Sequence, residues 1–238
     1  MFLIDAFNWT QLLQPTFYID NGGLWLVLFI IFAETGLFAG FFLPGDSLLF
    51  AAGIYLDNLV REFARLPETA VISFGINHVL ILIMIIVASV LGNLVGYWFG
   101  YKTGPLLYER RETWLFKKKH LIKAREFYHH YGKATIFIAK FLPIIRTFAP
   151  IVAGIVKMDK PRFIFYNVAG SICWVCSMML GGYFIDSWVV SKFGFSLKEY
   201  IEPITIGIIL ITTLPVLYKL FFAKKPIIPT DTTTNPNK

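Results

Sequence analysis

Long apolar runs alternate with short polar ones along the chain, and the interruptions are as informative as the runs. Residues 79–100, VLILIMIIVASVLGNLVGYWFG, carry no charge over a length that crosses the roughly 30 Å hydrocarbon core of a bilayer as a helix. The pattern predicts spans within 71–100 and over 163–186 and 204–222. Two other apolar stretches are broken from inside, 24–56 at LPGD and 134–156 at Pro143, Arg146 and Pro150. Residues 1–23 mix Phe, Trp and Leu with Asp, Asn and Gln around Pro15, the pattern of an amphipathic segment lying in the membrane interface. A mixed-charge loop follows over 57–70, basic surface helices over 101–133, and a polar disordered tail over 226–238.

Composition turns this pattern into a fold class. Of 238 residues 56% are hydrophobic, 24 of them Phe, and the mean hydropathy is +0.63, well above the apolar share of a soluble domain. An all-α polytopic membrane protein is expected, with one membrane domain over 24–225. No basic stretch leads into a continuous apolar run in the first twenty residues, so no cleaved signal peptide is expected. The two cysteines, Cys173 and Cys176, share one apolar segment, and the CWVC there reads as ordinary packing rather than a redox pair.

The net charge of +7 is uneven. Between 101 and 133 nine Lys and Arg face three acids, which makes that segment cytoplasmic by the positive-inside rule. Lys219, Lys224 and Lys225 argue for a cytoplasmic C-terminus. If 134–156 crossed the membrane once, this basic loop and the basic KMDKPR at 157–162 would lie on opposite sides. If it enters and returns, every charge cluster falls on the cytoplasmic side. Applied to 24–56 as well, the same reading gives two re-entrant helical hairpins. FLP at 42–44 followed by AAG at 51–53, and FLP at 141–143 followed by VAG at 152–154, fit an inverted repeat.

Four charges sit beside these breaks: Glu34 and Asp46 in the first broken segment, Lys140 and Arg146 in the second. Each costs roughly 2.5–3.5 kcal/mol at a helix centre in lipid, so pairing and hydration must offset them. One reading makes them two structural salt bridges, yet a buried pair is seldom more stable than an apolar replacement. The functional reading has Arg146 and Lys140 bind the phosphate of an anionic head group, while Glu34 and Asp46 take up and release protons. Pro44, Gly45, Pro143, Pro150, Gly53 and Gly154 are expected at the helix breaks and re-entrant tips. The Gly92, Gly96, Gly100 stripe reads as close helix packing, His129 and His130 as interfacial residues, and Lys117–Lys119 as a topology signal. No Walker A motif, metal-spaced His/Cys cluster or nucleophile elbow occurs. An enzyme, a metal, a cofactor and nucleic-acid binding are therefore not expected, and a homo-oligomer stays open.

ETGLFAGFFLPGDSLLFAAG, GNLVGYWFGYKTG, FYHHYGK and KFLPIIRTFAPIVAG resemble the successive motifs of the DedA family of membrane proteins, also called the VTT or SNARE-associated family, from about Glu34 to about Gly182. The resemblance implies a cytoplasmic-membrane transporter moving a phosphate-bearing lipid, undecaprenyl phosphate or a phospholipid, between leaflets with proton coupling. Its acidic and basic positions fall on Glu34, Asp46, Lys140 and Arg146. Lys140 stands where many members have Arg, and Asn93 where many have Asp. The first departure keeps charge but loses the planar fork; the second removes a proton carrier. The rival readings are a proton- or sodium-coupled small-ion transporter and a non-transporting membrane scaffold.

Overall fold

The computed structural model describes residues 15–37, 45–67, 72–109, 135–201, 203–204 and 206–207. Pro44, the basic segment from 110 to 133, most of the expected span 204–222 and the tail 226–238 lie outside the described residues, as does the N-terminal segment before Pro15. The described residues form helices and turns with no strand: α1 (Pro15–Gly36), α2 (Gly45–Ile54), α3 (Leu56–Ala64), α4 (Ile76–Glu109), α5 (Thr135–Ala139), α6 (Pro143–Ile155), α7 (Lys160–Phe193) and a 3-10 turn, Leu197–Tyr200. α1 kinks at Gly23, whose φ of 52° and ψ of −145° are not helical.

Among the described helices, α4 and α7 are the two long and apolar enough to cross a bilayer. They run beyond the expected limits of 100 and 186, because each continues in helical register into polar residues at its end. On α4, Ile76, Leu80, Ile83, Val87, Leu91, Val95 and Trp98 are exposed, a stripe at three- and four-residue spacing that faces outward like a lipid-contacting surface. The opposite face of the same helix buries Ile81, Ile85, Ser89, Asn93 and Tyr97. The protein is thus apolar outside and polar at part of its interior.

That interior is layered. One apolar cluster joins α1, α2 and α3 to Ile81 and Ile85 of α4 and to Trp174, Val175 and Met179 of α7. A second holds Tyr97, Ile136, Ala139, Ala149, Ala153 and Phe163. Between them α4 presents Ser89 and Asn93, and α7 presents Asn167 and Ser171, all nearly inaccessible. Asn93 bonds Asn167 at 2.6 Å and Ser89 bonds Ser171 at 3.3 Å, the pairing of antiparallel helices. At the start of α4 the buried His78 donates Nε2–H to Asp57 of α3 at 2.8 Å and accepts Gly75 N–H at 3.2 Å on Nδ1, which ties α3 to α4.

α2 packs on α7, and α6 on α4. The two crossings are built alike. A Cβ at Gly53 would strike the carbonyl of Met179 and one at Gly182 that of Phe50; a Cβ at Gly154 would strike the carbonyl of Tyr97 and one at Gly100 that of Ile151. Gly53 and Gly154, expected at helix breaks, are each one residue from the end of their helix, α2 ending at Ile54 and α6 at Ile155, and are also points of backbone-to-backbone contact. Pro150, expected at a break, instead stands within the continuous α6. Proline removes one backbone donor without ending a helix that its neighbours hold in place, a tolerance common in membrane helices. Pro143 and Gly45 are the first residues of α6 and α2, where a missing N–H at Pro143 costs no helical bond.

Candidate functional site

Each charged side chain owes its position to an interrupted helix. Glu34 lies in the last turn of α1, Asp46 in the first turn of α2, and Arg146 in the first turns of α6. Lys140 directly follows α5, where Lys140 N bonds Phe137 O at 3.2 Å and Leu142 N bonds Ala139 O at 3.1 Å. These tight i to i−3 bonds close α5 and turn the chain into α6. Relative exposures are 1% for Glu34, 8% for Asp46, 3% for Lys140 and 7% for Arg146, so all four are sheltered from solvent and lipid alike.

Arg146 brings the two acids together. Its Nη2 donates to Glu34 Oε1 at 2.5 Å and its Nη1 donates to Asp46 Oδ1. The planar fork thus reaches one carboxylate on each of two helices, a geometry lysine does not offer. Gly45 makes this arrangement fit: the Glu34 carboxylate occupies the place that a Cβ at Gly45 would take. The acid also stands at the N-terminus of α2, where unpaired backbone N–H groups and the helix dipole favour negative charge.

Trp174 of α7 forms the floor beneath both bases. Its indole Nε1 donates to Asp46 Oδ1 at 2.9 Å. Its ring centroid is 4.7 Å from the Arg146 guanidinium carbon and 5.3 Å from Lys140 Nζ, within cation–π range. Sequence reasoning missed this residue, although Asn167, Ser171 and Trp174 share one helical face at intervals of four and three. Ser89, Asn167 and Ser171 were missed for the same reason.

Lys140 differs from Arg146. Among the described residues no carboxylate lies within salt-bridge distance of its ammonium; Nζ instead donates to Ser89 Oγ at 3.0 Å. From there hydroxyl bonds run through Ser171 to Asn167 Oδ1 at 3.5 Å. Lys140, Arg146, Asn93, Asn167, Ala149 and Pro150 border a narrow cleft that is nowhere wide enough for the centre of a water molecule. Around this cluster three buried atoms have no hydrogen-bond partner among the described residues: Glu34 Oε2, Asn93 Oδ1 and Arg146 Nε. No group of three His, Cys, Asp or Glu side chains that would hold a metal ion occurs among the described residues.

The arrangement is a buried, nearly neutral set of two acids and two bases in which one base is held by both acids and the other stands beside a cleft. Comparison with known proteins fits a membrane origin. The VTT domain family matches residues 43–184. Protein DedA of Escherichia coli is 32% identical over 206 residues, covering 85% of each chain. An uncharacterised membrane protein of Mycobacterium tuberculosis is 31% identical over 213 residues, 87% of this chain and 85% of that one. The inner membrane protein YqjA of Escherichia coli is 30% identical over 190 residues, 74% of this chain and 78% of its own. No solved structure matches the chain.

Proposed function

From the premise that the chain belongs to the VTT-domain family, that of the DedA membrane proteins, we propose that it is a transporter returning a phosphate-bearing lipid, undecaprenyl phosphate or a phospholipid, from one leaflet of the inner membrane to the other. The observation that carries this reading is Lys140: a buried ammonium without an acid partner among the described residues, bordering a cleft beside an arginine that two acids neutralise. A purely structural clamp would pair both bases. Lys140 is instead available to an anionic head group, and Arg146 becomes so when Glu34 or Asp46 takes a proton. Protonation of either acid would then exchange carboxylate for phosphate on the guanidinium, which couples lipid movement to a proton gradient. The lipid tail stays in the bilayer while the head crosses.

In this reading 24–56 and 134–156 are the two re-entrant hairpins of an inverted repeat, with the basic segment 101–133 and the C-terminus in the cytoplasm. The matched glycine crossings of α2 on α7 and α6 on α4 support that symmetry, and the printed name of the inner membrane relative supports the compartment. The test is reconstitution of the full chain in liposomes, following leaflet exchange of labelled undecaprenyl phosphate and labelled phospholipids with and without a pH gradient. Gradient-dependent movement of one lipid, lost in Arg146→Ala and Glu34→Gln, is the expected result. Folded protein that moves no lipid would sink the proposal.

A further inference from the structure

The hydrogen-bond directions around Asn93 carry a prediction about what the cleft accepts. Asn167 Nδ2 donates to the backbone carbonyl of Val90 at 3.2 Å, and a carbonyl only accepts. Asn167 Oδ1 is thereby fixed as an acceptor, filled by Asn93 Nδ2 at 2.6 Å and approached by Ser171 Oγ at 3.5 Å. Asn93 has no freedom to flip without setting oxygen against oxygen. Its own Oδ1 is left as an acceptor, buried to 1% exposure, without a partner among the described residues, on a residue that borders the cleft. Leaving such a buried acceptor unpaired forfeits its desolvation cost without return, so it calls for a donor.

Lys140 borders the same cleft and is bonded to Ser89, which lies one helical turn from Asn93 on the same face of α4. The Arg146 Nε–H is the other unpaired group of this cluster that donates. Once the cleft opens far enough to admit a head group, two donors and one acceptor around it match a phosphate that accepts on two oxygens and donates from a third. We infer that Asn93 is a specificity-determining residue, its Oδ1 taking the P–OH hydrogen of a singly protonated phosphate held by Lys140, so that the cleft selects a phosphate monoester monoanion over a diester. A diester has no P–OH hydrogen to give, and the doubly charged monoester would set an oxyanion against Asn93 Oδ1. Charge ranks the two ionisation states in the same order: Glu34 from α1 and Asp46 from α2 already offset Arg146 and Lys140, and α4 and α7 contribute only the neutral Ser89, Asn93, Asn167, Ser171 and Trp174 to this cluster, so a singly charged head group leaves less uncompensated negative charge than a doubly charged one. The inference rests on the reading of this cleft as the phosphate site, and it moves one transported proton onto the substrate itself.

The experiment compares binding of farnesyl phosphate and its methyl ester, which share a tail and differ in the P–OH, to the full-length protein in detergent micelles by equilibrium dialysis at pH 6 and pH 8. The wild type is expected to prefer the monoester at least about tenfold at pH 6, the scale of one lost buried hydrogen bond. That preference should shrink at pH 8, since the second ionisation of a phosphate monoester lies at about 6. Because the methyl ester has no second ionisation, any change it shares with pH belongs to Glu34, Asp46 or another protein group. In Asn93→Ala, with folding checked by thermal melting, the preference should fall to within about twofold. Inorganic phosphate as competitor separates the sources: displacement at comparable concentration means that the head group alone is recognised, displacement by farnesyl phosphate alone that the lipid is. Equal binding of monoester and methyl ester to the wild type overturns the inference, whether or not the variant folds. If lipids move across liposomes without that preference, the role of Asn93 fails and transport stands; a clear preference in a protein that moves no lipid leaves the binding role and removes the transport reading.

Discussion

Arg146 meets two carboxylates carried by two different helices, and its removal leaves Glu34 and Asp46 buried with no cation between them. Breaking a buried pair in this way costs about 3–5 kcal/mol, whereas neutralising all partners together can cost little. Arg146→Ala is therefore expected to lower the melting temperature in detergent sharply. A combined Arg146→Gln, Lys140→Gln, Glu34→Gln, Asp46→Asn variant, which leaves no buried charge uncompensated, should recover most of it while moving no lipid. An unchanged melting temperature in Arg146→Ala would sink the idea that this cluster is buried and charged. The four charges were legible in the sequence because a charge in an apolar run stands out against its cost. Their pairing was not, since Arg146 sits 100 and 112 residues from its partners and nothing local records which base meets which acid. Trp174 was less visible still: an indole in a span looks like packing until the charges above it are known.

At the scale of elements, residue type alone does not say whether a glycine ends a helix or lets another helix approach. Gly53 and Gly154 do both: each is one residue from a helix end, as expected of a break, and each lies at a crossing, α2 on α7 and α6 on α4. What faces a residue is a tertiary fact. At Pro150 the local rule that proline interrupts helices fails, because the surrounding helices override it. The apolar runs of α4 and α7, by contrast, were legible because length and hydropathy act over many residues at once. Two adjacent glycines of α7 put the distinction to a test. A Cβ at Gly182 meets the backbone carbonyl of Phe50, which has no flexible end to yield, while a Cβ at Gly181 meets nothing within 4 Å. Gly182→Ala should therefore lower the melting temperature and loosen α2 from α7. Gly181→Ala should leave it unchanged or raise it, since alanine in a helix interior gains about 0.5–1 kcal/mol over glycine. Equal effects at the two positions would show that the crossing is not closely packed.

For the whole molecule, under the proposed lipid transport, the outward apolar stripe of α4 and the inward layer of Ser89, Asn93, Asn167 and Ser171 constrain the route of a lipid head. The polar layer lies between two apolar clusters, and the cleft beside it is narrower than a water molecule, so this cleft, as the described residues form it, does not admit a phosphate. The proposed transport would therefore require α6 to draw away from α4 or α7, with the glycine crossings as the contacts that slide or open. Ala149, 5% exposed, borders the cleft on α6 and reports on that motion with little change of volume when replaced by cysteine. With Cys173 and Cys176 changed to alanine, Ala149→Cys should resist a water-soluble maleimide in liposomes at rest. It should become labelled when lipid substrate and a pH gradient are both present. The resting protection belongs to the closed arrangement and the labelling to an open one that a ligand populates, since a ligand shifts an equilibrium only toward the state it binds better. Protection that persists through conditions of measured lipid movement would mean that the head group travels by another route, and the cleft between α4, α6 and α7 would lose its place in transport.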